Sequence, residues 1–317
     1  MPPIVSPASM QNMIGQDMAR RKLITMCESA RGRGEALRHT ILVGPGGVGK
    51  TALARLVAAC MDAPFVETMA GAVDTKKTMT EFLLSLDPYS VVFIDEFHGV
   101  KSSVRAQVLY CAMSDRYVMG KSRNGYPAKI LLRPFTLVAA TTEGKLDPSM
   151  ARRFTRINLR YYSVDELARI ITWCAEGKGF EIEAGAAWYL AVRSQGVAGI
   201  GQEWLASAID ETRGASTITL AHAVAAMEVA EVDDLGLGTA ERAILIAIAH
   251  EGGHPIGLSS VASLLGMRSV TEEVAFLERM NLVRLNHAPR GRVATSAAYV
   301  HLGEKVPPIV RGRESGV

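Results

Sequence analysis

The chain has little of what marks the specialised protein classes. Its four cysteines, Cys27, Cys60, Cys111 and Cys174, stand far apart with no Cys-x-x-Cys pair, so neither a zinc ribbon nor a disulfide framework is signalled and a reducing compartment is expected. No apolar run approaches the roughly 18 residues that span a bilayer, and the opening Met-Pro-Pro-Ile-Val-Ser-Pro lacks the basic and apolar regions of a signal peptide. The expectation is a soluble, cytoplasmic protein without a membrane partner. Charge of one sign is missing too: 35 Lys and Arg against 32 Asp and Glu leave +3, too little to identify a nucleic-acid binder from the whole chain. Any DNA contact has to be local. There is no internal repeat, and 48% apolar with 21% charged residues excludes disorder and allows a sizeable core over 317 residues.

What is present is alternation. Apolar or β-branched runs at Thr40–Val43, Pro64–Glu67, Val91–Ile94, Phe135–Ala140 and Ile157–Leu159 are separated by stretches long enough for helices, which predicts an α/β fold with a mostly parallel sheet. From Ser163 the strands disappear. Ser163-Val-Asp-Glu166 has the form of a capping box, and Glu183–Arg193, Gly201–Thr212 and Leu220–Val229 keep a helical period, predicting an all-helical unit. Two acids and two glycines in Asp233-Asp-Leu-Gly-Leu-Gly238 suggest a linker. Beyond it, helices over Ala240–Ala249, Ser259–Leu265 and Ser269–Met280 precede strands at Val283–Asn286 and Arg292–Ala294, the order of a winged helix-turn-helix. The last dozen residues read as a frayed tail. The expected division is 1–160, 161–234, 235–304 and a flexible 305–317.

One motif carries chemistry in its required context. Thr40–Val43 runs into Gly44-Pro-Gly46-Gly47-Val-Gly49-Lys50-Thr51, followed by a helical stretch, the Gly-x4-Gly-Lys-Thr phosphate loop between strand and helix. Glycines are needed because backbone N–H groups must turn toward phosphate oxygens at a distance that side chains would block. ATP and Mg²⁺ are the expected cofactors: Lys50 supplies charge to the β- and γ-phosphates, and Thr51 a hydroxyl to the metal. The strand Val91–Ile94 ends in Asp95-Glu96, which places Asp95 near the metal and Glu96 where it can orient or deprotonate the attacking water. Thr141-Thr142 ends the next buried strand and is as readily a polar cap as a γ-phosphate sensor. Arg152-Arg153 reads either as solvated surface or as the source of an arginine offered to a neighbour's γ-phosphate, which implies a ring.

The C-terminal end supplies the local charge. From Asn281 onward six basic residues face Glu304 and Glu314, a local +4. Arg284, Arg290 and Arg292 lie on the expected hairpin, with Gly291 at its tip permitting close approach to DNA phosphates. If all three arginines contact phosphate, the slope of log K against log salt is about −2.7 per subunit. His250-Glu-Gly-Gly-His254 matches His-Glu-x-x-His, but the two glycines and Pro255 break the helix that metal ligation needs.

Together these residues resemble the AAA+ ATPases, and within them the RuvB family of Holliday-junction branch-migration motors. Met13-Ile-Gly-Gln16, Arg33-Gly-Glu-Ala-Leu37, Phe93-Ile-Asp-Glu-Phe-His98, Pro134-Phe-Thr-Leu137, Ala140-Thr-Thr142, Val232-Asp-Asp-Leu-Gly-Leu237 and Pro289-Arg-Gly-Arg-Val-Ala-Thr295 carry the resemblance, which runs from about residue 10 to 303. It implies an ATPase core, a helical lid and a DNA-binding winged helix, assembled as a hexameric ring on duplex or branched DNA. It also implies that Thr141 is the first sensor, that Arg153 rather than Arg152 is the arginine finger, and that Ile14 and Tyr162 contact adenine. Departures are specific. Gly196-Val-Ala-Gly199 stands where the family's lid carries its second-sensor arginine, and the segment 116–132, which would grip a RuvA-like partner, is shorter and altered. They mark a divergent relative, of the kind a phage or mobile element carries. Beside the motor they raise an alternative, a nucleotide-gated DNA-binding loader or scaffold with little translocation.

Overall fold

In the computed structural model, which describes residues 13–121, 124–142, 147–287 and 289–314, the first half of the chain is built on a five-stranded sheet. Its strands are β1 (Thr40–Val43), β2 (Phe65–Met69), β3 (Val91–Asp95), β6 (Thr136–Thr141) and β7 (Thr155–Asn158), in the order β2-β3-β6-β1-β7 and all parallel. A separate antiparallel hairpin, β4 (Tyr117–Lys121) with β5 (Pro127–Leu131), stands outside it. β1 and β6 are buried along their whole length, and β3 as far as Ile94, because helices cover both faces; this is why they read as continuous apolar runs rather than alternations. Successive residues still go to opposite sides. Leu42, Phe93, Val138 and Ala140 face one core, while Ile41, Val92, Ile94, Leu137 and Ala139 face the other.

The first of these cores does not stop at the sheet. Through Val48, Leu159, Tyr162 and Ala198 it runs on into Leu167, Ile171, Leu190 and Leu205 of the second unit. That unit holds helices Val164–Gly177, Ala184–Arg193, Ala198–Glu211 and Leu220–Val229, and the Ser163 capping box is present, with Glu166 N–H on Ser163 Oγ at 3.2 Å and Ser163 N–H on Glu166 Oε2 at 2.8 Å. Two features differ from expectation. The third helix begins at Ala198 rather than Gly201, and a short parallel pair, β8 (Glu181–Ile182) with β9 (Thr217–Ile218), makes the unit not wholly helical.

The stretch expected as a linker is stitched in place. Asp233 Oδ1 accepts from the N–H groups of Leu235 and Leu237, both at 2.9 Å, and its Oδ2 lies 2.8 Å from His301 Nε2. Arg193 of the second unit pairs with Asp234, and Gln195 Nε2 donates to the Gly236 carbonyl. Gly236 (φ 82°) serves contact rather than looseness, since a Cβ there would come within 2.9 Å of the Arg193 carbonyl oxygen.

The C-terminal unit has its own core. Helices Thr239–Ala249, Leu258–Leu264 and Thr271–Arg279 precede the hairpin β10 (Val283–His287) and β11 (Arg290–Ala294), and an antiparallel bridge between Ile256 and Arg292 adds a third short edge. The tail is not frayed over its described part. Pro308–Glu314 is helical, and Val310, 2% exposed, closes the core beside Tyr299 and Ile248. His250 lies past the helix end at Ala249, and Gly252 and Gly253 (φ 61° and 91°) turn the chain before His254, so the two histidines do not share a helix face.

His39, just before β1, ties the sheet together and is one of the groups through which acid acts on stability. Its Nδ1 accepts the Leu137 N–H at 2.9 Å, so the ring must be neutral at that nitrogen, and burial pushes its pKa down to about 4 from 6.5 against the opposing pull of a Met113 backbone hydrogen bond. Between those values the unfolded chain takes up a proton that the folded one refuses. The contribution of His39 to stability is therefore expected to fall as pH drops from about 6.5 toward 4, by at most about 3 kcal/mol, and to level off below that. Denaturant unfolding at pH 7 and pH 4.5 should show this loss in the natural chain and a smaller one in His39→Gln.

Candidate nucleotide site and its surroundings

The loop between β1 and the helix Lys50–Met61 has the shape an anion needs. Gly47 and Gly49 take φ of 67° and 93°, a region closed to most side chains, and Gly49 leaves the first helical turn without a side-chain cap. Added Cβ atoms would meet Val197 at 2.6 Å from Gly47 and Leu159 at 2.9 Å from Gly44, whereas Gly46 faces open space. Lys50, 7% exposed, folds its ammonium over the loop and donates to the carbonyls of Gly44 at 3.0 Å and Pro45 at 2.7 Å. Burial pulls its pKa below the usual lysine range, while Glu96 and then Asp95 oppose that shift. A phosphate would replace those carbonyls with a charged acceptor. The Thr51 hydroxyl makes no hydrogen bond among the described residues, and Asp95 spends Oδ1 on the Glu96 N–H at 2.9 Å. These hard oxygens fit Mg²⁺ in kind.

The parallel register brings the remaining groups to the same edge. Val43 pairs with Thr141, and the Gly44 N–H donates to the Thr141 carbonyl at 3.2 Å, so the end of β6 adjoins the phosphate loop. Glu96, at the end of β3, adopts a left-handed backbone (φ 48°) that turns it out of the strand direction. Its Oε2 lies 3.1 Å from His98 Nδ1, and the same nitrogen lies 3.3 Å from Thr141 Oγ1. His98 thus sits between the two groups and limits how the carboxylate can swing. Reasoning from sequence gave His98 no role; the available signal was its position two residues beyond the acidic pair. Thr142 borders the cleft in front of the loop.

That cleft, about 700 Å³, is walled by all three parts of the chain: Gly44 to Gly47, Val197 and Gly199, and Phe276 and Arg279. Where a lid arginine would stand, Gly199 instead donates its backbone N–H to the Gly47 carbonyl at 3.0 Å. Arg279 stacks on Tyr161 at 3.7 Å, donates to its hydroxyl at 2.8 Å and reaches the Gln195 carbonyl at 3.2 Å. The neighbouring Tyr162 is buried behind the loop with its hydroxyl on the Val48 carbonyl at 3.0 Å, and Gly15 is required beside its ring. Ile14, next to Gly15, lines an adjoining groove bordered by Ala168, Thr172 and Trp173.

Arg153 belongs to the opposite edge. It precedes β7, whose first residue pairs with Thr40 at the start of β1, so roughly 13 Å of strand separates its level from that of the phosphate loop. Its Nε donates to Ser114 Oγ at 2.7 Å, a terminal nitrogen donates to the Ser149 carbonyl at 2.6 Å, and the guanidinium lies over Tyr110 at 3.2 Å. Arg152 is exposed.

On the hairpin the three arginines differ. Arg290 is exposed and Arg284 half-buried, but Arg292 is turned back against Glu278, with Nε 2.6 Å from its carboxylate. Gly291 also has a different purpose from the one expected. A Cβ there would come within 2.9 Å of Pro255 and Ile256, so the glycine admits the Ile256 bridge rather than a phosphate.

The family model described as the Holliday junction DNA helicase RuvB P-loop domain matches residues 5–159. The structure of a RuvB variant from Thermotoga maritima is 34% identical, covering 94% of this chain and 98% of that one with a TM-score of 0.84. Another, described as the Thermotoga maritima RuvB Holliday junction branch migration motor, is 34% identical over 93% of this chain and 96% of that one, with a TM-score of 0.81. The AAA domain of FIGL-1 bound to ADP, 18% identical with a TM-score of 0.51 over 68% of this chain and 82% of that one, shares the fold.

If His98 aims Glu96, removing the ring should affect turnover rather than binding. His98→Ala is expected to lower kcat for ATP by about 10- to 100-fold and leave KM within about threefold in a steady-state ATPase assay. An unchanged kcat would show that the contact is incidental.

Proposed function

The chain belongs to the RuvB family, and from that premise we propose that it works as an ATP-driven ring, hexameric as the family resemblance implies, that translocates duplex DNA and drives branch migration at Holliday junctions. It is a AAA+ P-loop ATPase. No helix among the described residues is long and apolar enough to cross a membrane. The observation that carries the proposal is the split of the machinery between the two edges of one sheet. Lys50, Asp95, Glu96 and Thr141 gather at the carboxyl edge, while Arg153 stands at the amino edge, where it can serve only another subunit's nucleotide.

In this reading Lys50 leaves the Gly44 and Pro45 carbonyls for the β- and γ-phosphates, and the amides of the glycine loop bind their oxygens. Mg²⁺, held by Thr51 and Asp95, would offset charge on the β- and γ-phosphates. Glu96, aimed by His98, takes the proton from the water that attacks the γ-phosphorus, and Thr141 holds that water or the γ-phosphate. Arg153 of the adjacent subunit balances the charge that develops on the γ-oxygens. Adenine lies between the groove at Ile14 and the hinge at Tyr162. We retain the division near residues 160 and 234 into motor, lid and winged unit. The hairpin β4–β5 exposes Met119, Tyr126 and Leu131 and is where a RuvA-like partner would dock.

The loader alternative rests on Gly199, which leaves the lid without a charged contact to the γ-phosphate. The purified chain with a four-way junction separates the two readings: ATP-dependent separation of the arms, lost in Lys50→Ala, is expected, and hydrolysis without separation would leave the loader. Arg284 and Arg290 are the DNA contacts that the hairpin geometry supports, because Arg292 is committed to Glu278. The slope of log K against log salt is therefore expected near −1.8 per subunit, measured by anisotropy on duplex DNA, and a slope of about −2.7 would restore Arg292 as a contact.

A further inference from the structure

The helical stretch 102–115 contains a π turn at Arg105–Leu109, a rare widening that rotates the side chains following it. Arg105 opens that turn and is only 17% exposed. It reaches in two directions. One terminal nitrogen donates to the carbonyl of His98 at 3.3 Å and to that of Val100, both in the segment that follows Glu96. On the other side its Nε lies 3.4 Å from Asp147 Oδ2, an ion pair without a hydrogen bond at a nitrogen that is otherwise buried and unpartnered.

Asp147 leads directly to Arg153. Its Oδ1 accepts the Met150 N–H at 3.0 Å and the Ser149 hydroxyl at 2.6 Å, which starts the short helix Pro148–Ala151. The Ser149 carbonyl then accepts from Arg153 at 2.6 Å. The remaining supports of Arg153, Tyr110 and Ser114, lie just beyond the π turn on the same helical stretch as Arg105. Arg105 therefore touches both ends of one physical chain: the loop that carries the water-activating carboxylate, and the turn that carries the arginine at the far edge of the sheet.

We propose that Arg105 is a positioning residue that fixes Arg153, the arginine a subunit offers to its neighbour's nucleotide, relative to the Glu96–His98 segment of that subunit's own site. This rests on the reading of Arg153 as acting in trans. A subunit whose own site changes with nucleotide would thereby alter the arginine it presents to the next.

The test uses mixed rings. Arg105→Gln removes the ion pair with Asp147, and Asp147→Asn removes the same pair while keeping an N-cap side chain of equal competence and leaving the His98 contact untouched. Each variant alone is expected to lose on the order of tenfold in ring ATPase rate, less than the roughly 100-fold or more that outright loss of a transition-state donor costs, because Arg153 is displaced rather than removed. Glu96→Gln subunits lack the base but keep Arg153 and everything that positions it. Mixing them with either variant should restore hydrolysis, because the variant's intact site is then served by a correctly held Arg153. Arg153→Ala mixed with Glu96→Gln is the control, and its failure to recover would refute the trans reading itself. If that control recovers and Arg105→Gln and Asp147→Asn do not, their damage lies in their own site and the proposal falls. It falls equally if both variants keep full activity. Should Arg105→Gln fail to fold, as judged by thermal melting, Asp147→Asn decides alone.

Discussion

All five strands of the central sheet run the same way, and the chemistry follows from that constraint. A parallel sheet has two unlike edges. The carboxyl ends of β1, β3 and β6 collect the phosphate loop, Asp95, Glu96 and Thr141 within one register, because Val43 pairs with Thr141 and β3 pairs with β6. The same register carries Arg153 to the start of β7, level with the start of β1. About 13 Å of strand lies between the two levels, more than an arginine side chain extends, so Arg153 is set apart from the phosphate loop of its own subunit. In the proposed reading, hydrolysis is therefore a property of neighbours.

The other two units are joined to this sheet at its hinge. Tyr162 places its hydroxyl on the phosphate loop and its backbone N–H on the Gly196 carbonyl of the lid, while the adjacent Tyr161 carries Arg279 from the C-terminal unit. Three parts of the chain meet over two consecutive tyrosines. At Gly199 the lid meets the loop through its backbone N–H on the Gly47 carbonyl, beside the uncharged side chains of Val197 and Tyr162, and the charged contact at this hinge comes from Arg279 of the C-terminal unit. A shared core between sheet and lid, against a separate core in the C-terminal unit, fits the same picture.

The parts legible in sequence were those dictated by short-range chemistry. The phosphate loop announces itself because φ of 67° and 93° favours glycine beside a lysine that must fold back over it. The buried strands and the Ser163 box are equally local. What escaped was set by contacts distant in sequence. Arg292 looked free at a hairpin tip until Glu278 came beside it, and Gly291 looked like a phosphate glycine until Pro255 and Ile256 packed on it. Asp233 and Gly236 carry linker composition, yet His301 and Arg193 hold them. The π turn at Arg105 has no composition signal, because it is an irregularity of hydrogen bonding within an ordinary helical sequence.

The central claim is that the active site is completed by a second subunit. It is tested most directly by measuring ATPase rate per subunit while protein concentration is raised across the range in which sedimentation shows assembly. The account predicts that specific activity rises steeply with the assembled fraction and is near zero for the dissociated chain at saturating ATP. A specific activity that is constant from monomer to assembly would contradict it.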